Sequence, residues 1–146
     1  MKAFCACFGV VLCLIGLLPT NGLAHEKGVV PCAVDVIFGD DDVGVFTAFI
    51  LKLQYKNTSM RVVRGVSVLI QDKDGEVFKN SDAVCNIDAG GLVAGDTGQC
   101  EKVLQIITGK MSKKVGYDVW VDMIDDQKAQ LLAAKKCEIA GVQYQQ

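Results

Sequence analysis

The carboxylates of this chain gather in three short clusters: Asp40–Asp41–Asp42, Asp72 with Asp74, and Asp125–Asp126. Two carboxylates across a cleft can hydrolyse a glycoside as acid and base, and loop carboxylates can bind calcium. The spacing is not that of an EF-hand loop. Each cluster also falls where a turn uses Asp to bond its own backbone. A hydrolase or metal-dependent enzyme built on Asp loops is therefore the weakest functional reading. A serine or cysteine nucleophile needs a base in reach, and the only histidine is His25. A copper brace at a terminal histidine needs a second histidine, so His25 reads as a solvated residue. The glycines of "DAGGLVAGDTG" lack the Gly-Lys-Ser/Thr ending of a phosphate loop and the helix that should follow. No catalytic residue, metal ligand or cofactor is expected.

Cysteine is the other reactive type, with seven in the chain. Three fall in "MKAFCACFGVVLCLIGLLPTNGLA", residues 1–24. Lys2, the apolar run Phe8–Leu18, the polar break at Thr20 and Asn21, and the small residues Gly22 and Ala24 make this a secretory signal peptide cut after Ala24. The run is too short for a membrane span of ~20 residues. The remaining domain, residues 25–146, keeps Cys32, Cys85, Cys100 and Cys137. Four cysteines in a small exported domain imply two disulfides, with three connectivities open. The favoured pairing is Cys85–Cys100, around the glycine-rich loop, and Cys32–Cys137, tying the first strand to the last. Loop closure gives the short bridge about 3 kcal/mol and the long one roughly 4–5 kcal/mol. Zinc fits poorly, with no C-x-x-C pair and one histidine.

The net charge is −2, and Lys52, Lys56, Arg61, Arg64 and Lys79 are scattered. No basic stripe could follow a phosphate backbone, so nucleic acid is a poor partner. A secreted or periplasmic protein, free of the membrane after cleavage, is expected.

The elements that position these residues have a period of two. "VPCAVDVIF" is a strand bounded by the turn "GDDDVG". In "VFTAFILKLQY" the odd positions Val45, Thr47, Phe49, Leu51, Leu53 and Tyr55 face a core. "KNTS" turns the chain. "VVRGVSVLI" sets Val66, Val68 and Ile70 on one face, "DKDG" makes a hairpin, and "EVFKN" returns. "SDAVCNI" and "CEKVLQIIT" read as strands. "VGYDVWVDMI" alternates, with Tyr117, Val119, Val121 and Met123 inward and Asp118, Trp120 and Asp122 outward. The tail "DDQKAQLLAAKKCEIAG" has helix formers. The all-β context favours instead a turn at Asp126–Lys128 and a last strand with Leu131, Ala133 and Cys137 on one face. Seven or eight short strands with regular turns predict an all-β, immunoglobulin/fibronectin III-like β-sandwich of a single domain.

Residues Phe46 to Val77, with "LQYKNTS", "VVRGVSVLI" and "QDKDGEV", resemble small secreted immunoglobulin-like or fibronectin type III-like domains of bacteria. A signal peptide followed by one disulfide-bearing sandwich is also similar to the secreted interleukin receptor mimics of pathogenic bacteria. That resemblance implies a swapped homodimer, host cytokines as partners and a part in virulence. It carries no residue-level binding motif. The residues themselves offer Trp120 with Leu69, and Phe46 with Ile50, as outward pairs that could anchor an interface. The expected function is a secreted, non-enzymatic protein-binding module. The alternative is a periplasmic assembly or chaperone-like subunit that pairs through an edge strand. Asn57-Thr58-Ser59 matches a glycosylation sequon.

Overall fold

The computed structural model describes residues 28–42 and 44–146. The leader, its cut after Ala24 and His25 lie outside them. Six strands, β1 (Val29–Asp41), β2 (Gly44–Lys56), β3 (Val63–Gln71), β4 (Val77–Cys85), β5 (Thr97–Thr108) and β6 (Lys136–Tyr144), are joined by two helices, α1 (Ser112–Val115) and α2 (Tyr117–Leu131). The strands run in the order β1-β2-β5-β4-β3-β6, and the sheet closes into a barrel. This corrects the expected sandwich of seven or eight strands. In a sandwich, two sheets pack face to face without sharing ladder bonds. Here β6 pairs with both β3 and β1, and β5 with both β2 and β4, so hydrogen bonds join the two groups of strands on both sides.

The two closures are short. β1 meets β6 only from Val29↔Glu138 to Pro31↔Lys136. β4 meets β5 only at Val84↔Glu101 and Cys85↔Cys100. Each closure carries a disulfide: Cys32–Cys137 at the first and Cys85–Cys100 at the second. The half-cystines share one level of the barrel. Cys32 lies opposite Leu53, Leu53 opposite Cys100, and Cys137 opposite Ile70. These five side chains and that of Cys85 are buried. The covalent bonds form a belt where the ladder has fewest hydrogen bonds to hold it. Two formed disulfides are the mark of an oxidising compartment, extracellular or periplasmic.

Beyond the belt β1, β2 and β5 continue as a three-stranded sheet, to Asp41↔Gly44 and Phe46↔Thr108. Local patterning explains most of its core. Thr47, Phe49, Leu51 and Leu53 are buried from the odd face of β2, and Val66, Val68 and Ile70 from β3. Val45, placed on the same odd face, is instead exposed at the far end. The "DKDG" hairpin forms as an Asx turn: Asp72 Oδ1 accepts from the backbone N–H groups of Asp74 and Glu76 at 2.8 and 3.0 Å, with Gly75 at φ 89°. "EVFKN" and "SDAVC" join in one strand, β4.

The segment from Tyr117 to Leu131 is a helix, not a strand pair. Gly116, at φ 93°, breaks the chain between α1 and α2. The Ala, Gln, Lys and Leu of "QKAQLL" then favour helix over the weaker strand preference of "YDVWV". Trp120, Ile124 and Leu131 share one face at helical spacing. Ile124 and Leu131 enter the core with Phe49 and Ile107, and Trp120 packs against it. The inward–outward assignment fails at three positions, for Trp120 faces the core side while Tyr117 and Val119 are exposed; Asp118 and Asp122 are exposed as expected, and Val121 and Met123 are half-buried. The turn placed at Asp126–Lys128 is a continuous part of α2, and the last strand starts only at Lys136. The core residue just before that strand is Ala134, not Ala133. Among the described residues no helix is long and apolar enough to cross a membrane.

Candidate functional site: an aromatic cleft at the open end

Where β1, β2 and β5 outrun the barrel, a cleft of about 550 Å³ opens. Its rings are Phe38 from β1, Phe46 from β2, and Tyr117 and Trp120 from the first turn of α2. Lys110 and Lys113 come from the segment that links β5 to α2. Each part has a local cause. Gly39 leaves room for the Phe46 ring, which a side chain there would strike. Trp120 Nε1 donates to the carbonyl of Thr108 at 3.1 Å, and Thr108 is the register partner of Phe46. The indole is thus tied to the end of β5. Tyr117 and Trp120 sit three apart on the helix, so their rings are neighbours, with centroids 5.8 Å apart. Ser112 Oγ donates to the Gly109 carbonyl at 2.7 Å, closing the turn under the two lysines.

The cleft is apolar and open to solvent. Phe38 and Tyr117 are each 69% exposed. Its volume lies in the range usual for small-molecule sites, which are mostly apolar with a few placed polar groups. Among the described residues, none that lines it is acidic. Among the described residues, no ion pair engages Lys110 or Lys113. The ion pair with a resolved effect lies elsewhere: Lys52 Nζ meets Asp35 Oδ2 at 2.8 Å across β1 and β2. The hydrogen bond and charge of Asp35, helped by Glu101, hold the Lys52 ammonium above its ordinary range against a small desolvation effect.

The residues expected at an interface separate. Trp120 and Phe46 both line the cleft. Leu69 lies on β3, half-buried between Asn80 and Glu138. Ile50 lies on β2 beside the bulge at Phe49/Ile50 and is half-buried. The proposed pairs Trp120–Leu69 and Phe46–Ile50 are therefore replaced by Trp120 with Phe46. Phe38, Lys110 and Lys113 carry no expectation from the sequence, and Tyr117 is expected from it to face the core, not a site. A helical reading of Tyr117 and Trp120 at i and i+3 would have flagged two of the four rings.

The acidic clusters take structural places. Asp40 and Asp41 end β1, Asp72 builds its turn, and Asp125 and Asp126 sit exposed on α2. Among the described residues no three His, Cys, Asp or Glu side chains are grouped to hold a metal. The sequon asparagine is also structural. Asn57 is 0% exposed; its Nδ2 donates to the carbonyls of Arg61 and Leu92 at 2.7 and 2.8 Å. Its Oδ1 accepts from Ser59 N and Ser59 Oγ. A glycan on that nitrogen would abolish this arrangement. Comparison with protein families, with curated proteins and with solved structures finds no match to this chain.

Proposed function

We propose that this is an exported, non-enzymatic binding protein whose ligand seats in the cleft between the β1–β2 hairpin and α2. The observation that carries the reading is the convergence of four aromatic rings from three elements on one solvent-open cavity. Large exposed rings rarely gather in a soluble protein without a partner to cover them. Export is supported by the leader-like residues 1–24 and by the two disulfides. The cytokine-receptor expectation rested on likeness to a sandwich, which the barrel replaces. What supports binding now is the cleft. Recognition by an edge strand keeps one support, since among the described residues β1 beyond Cys32 pairs as a strand with β2 alone. That edge carries Asp35, Asp40 and Asp41, the kind of charge that blunts strand addition.

The chain's single tryptophan is Trp120, so its emission reports cleft occupancy. Titration with dodecyl amphiphiles below their micelle concentration should give a saturable spectral shift with at least one headgroup. Phe38→Ala should weaken binding by about tenfold, the loss of ~1.4 kcal/mol of ring contact. A flat titration with every headgroup would end the proposal.

A further inference from the structure

We infer that the cleft selects an amphipathic anion: an apolar tail or ring among Phe38, Phe46, Tyr117 and Trp120, and a carboxylate at Lys110 and Lys113. This rests on the cleft being a binding site and adds the sign of its ligand. Four rings around a cavity can equally make a cage for a quaternary ammonium group, through the negative faces of the rings. The charge of the rim decides between the two. A cation cage needs its ring attraction unopposed, and is commonly helped by a carboxylate. Among the described residues the lining holds two ammonium groups and no carboxylate. Both lysines also lack an ion pair among the described residues, so an arriving anion displaces no internal partner.

A membrane surface is the other source of apolar tails under anionic groups. The structure favours a free amphiphile over a bilayer. The hairpin tip beside the cleft carries Asp40, Asp41 and Asp42, all exposed. Pressing Phe38 into an anionic bilayer would drive three carboxylates against its headgroups. A single molecule entering from solvent avoids that repulsion, and the cavity volume of about 550 Å³ suits one.

The experiment compares three probes with one tail: dodecanoate, dodecanol and dodecyltrimethylammonium, each titrated against Trp120 emission in the intact, oxidised protein. Dodecanoate should bind roughly tenfold tighter than dodecanol, since each exposed ion pair is worth up to about fivefold. The cation should bind weakest. The double substitution Lys110→Gln/Lys113→Gln, both exposed and fold-safe, should remove the preference and leave dodecanol affinity unchanged. Raising ionic strength from about 0.01 M to 1 M should narrow the gap in the wild type. Equal binding of all three would keep the cleft and overturn the anion. A preference for the trimethylammonium probe would replace it with an aromatic cage. Cosedimentation with vesicles of anionic phospholipid, without binding of monomeric dodecanoate, would overturn the free-amphiphile reading in favour of a membrane surface.

Discussion

The two ends of β2 solve opposite problems. At its C-terminal end Asn57 is fully buried; its Nδ2 donates to the carbonyls of Arg61 and Leu92, and its Oδ1 accepts from Ser59. At its N-terminal end, roughly 35 Å away along the strand, Phe46 borders a cleft with exposed rings and lysines that have no ion pair among the described residues. One end satisfies its polar groups internally and shuts. The other leaves apolar area and charge facing solvent. The difference teaches that stability is concentrated at the belt and the Asn57 end, so the cleft end is free to be chemically unsatisfied. The comparison can be broken by showing that either end does the other's work.

The largest effect should come from the belt. Replacing Cys32 and Cys137 together by serine should cost about 4–5 kcal/mol in denaturant unfolding, and replacing Cys85 and Cys100 about 3 kcal/mol. The first bridge closes a separation of 105 residues and the second one of 15. A reversed order would mean that the β4–β5 closure, with only two register pairs, depends on its bond more than chain entropy allows. The barrel would then be held mainly at that side.

Asn57→Ala should follow, at about 2–4 kcal/mol, because the Leu92 carbonyl loses its side-chain donor in a buried place. The backbone bond from Val63 N to the same carbonyl, 2.9 Å, remains and limits the loss. The check is a shift in unfolding midpoint at constant denaturant slope. A change below about 0.5 kcal/mol would place Asn57 among ordinary surface positions and remove the contrast between the two ends.

How much of this was legible depends on the range of the cause. Turn chemistry is local, so "DKDG" and its Asx turn could be read directly. The inward faces of β2 and β3 follow from period two. The cysteine pairing could be favoured on loop length and strand order. Closure could not be read, because an inward-alternating strand looks the same in a sandwich and in a barrel. The distinction rests on whether β6 reaches β1 and β4 reaches β5, a matter of three and two register pairs. α2 was hidden because "YDVWVDM" alternates apolar and polar residues over a short window. The helical signal, Trp120, Ile124 and Leu131, emerges only when the window extends through "QKAQLL". The cleft followed α2 out of sight. Its four rings come from positions 38, 46, 117 and 120, and nothing in their spacing announces that β5 and a helix will bring them together.

The smallest effect on stability is expected where the effect on binding is large. Phe38 is 69% exposed at the end of β1, so Phe38→Ala should move the unfolding free energy by no more than about 0.5 kcal/mol in either direction. The same substitution removes one of the cleft's four rings and should cost the ~tenfold in affinity that one lost ring contact implies. A ring that held the fold would show the reverse, a shifted midpoint and unchanged binding, because its area would then be buried against its own chain instead of awaiting a ligand. Measured on one purified variant by denaturation and by Trp120 emission, the pair of numbers separates packing from recognition. A stability loss of several kcal/mol would convert the cleft into an extension of the core, and the two ends of β2 would cease to differ.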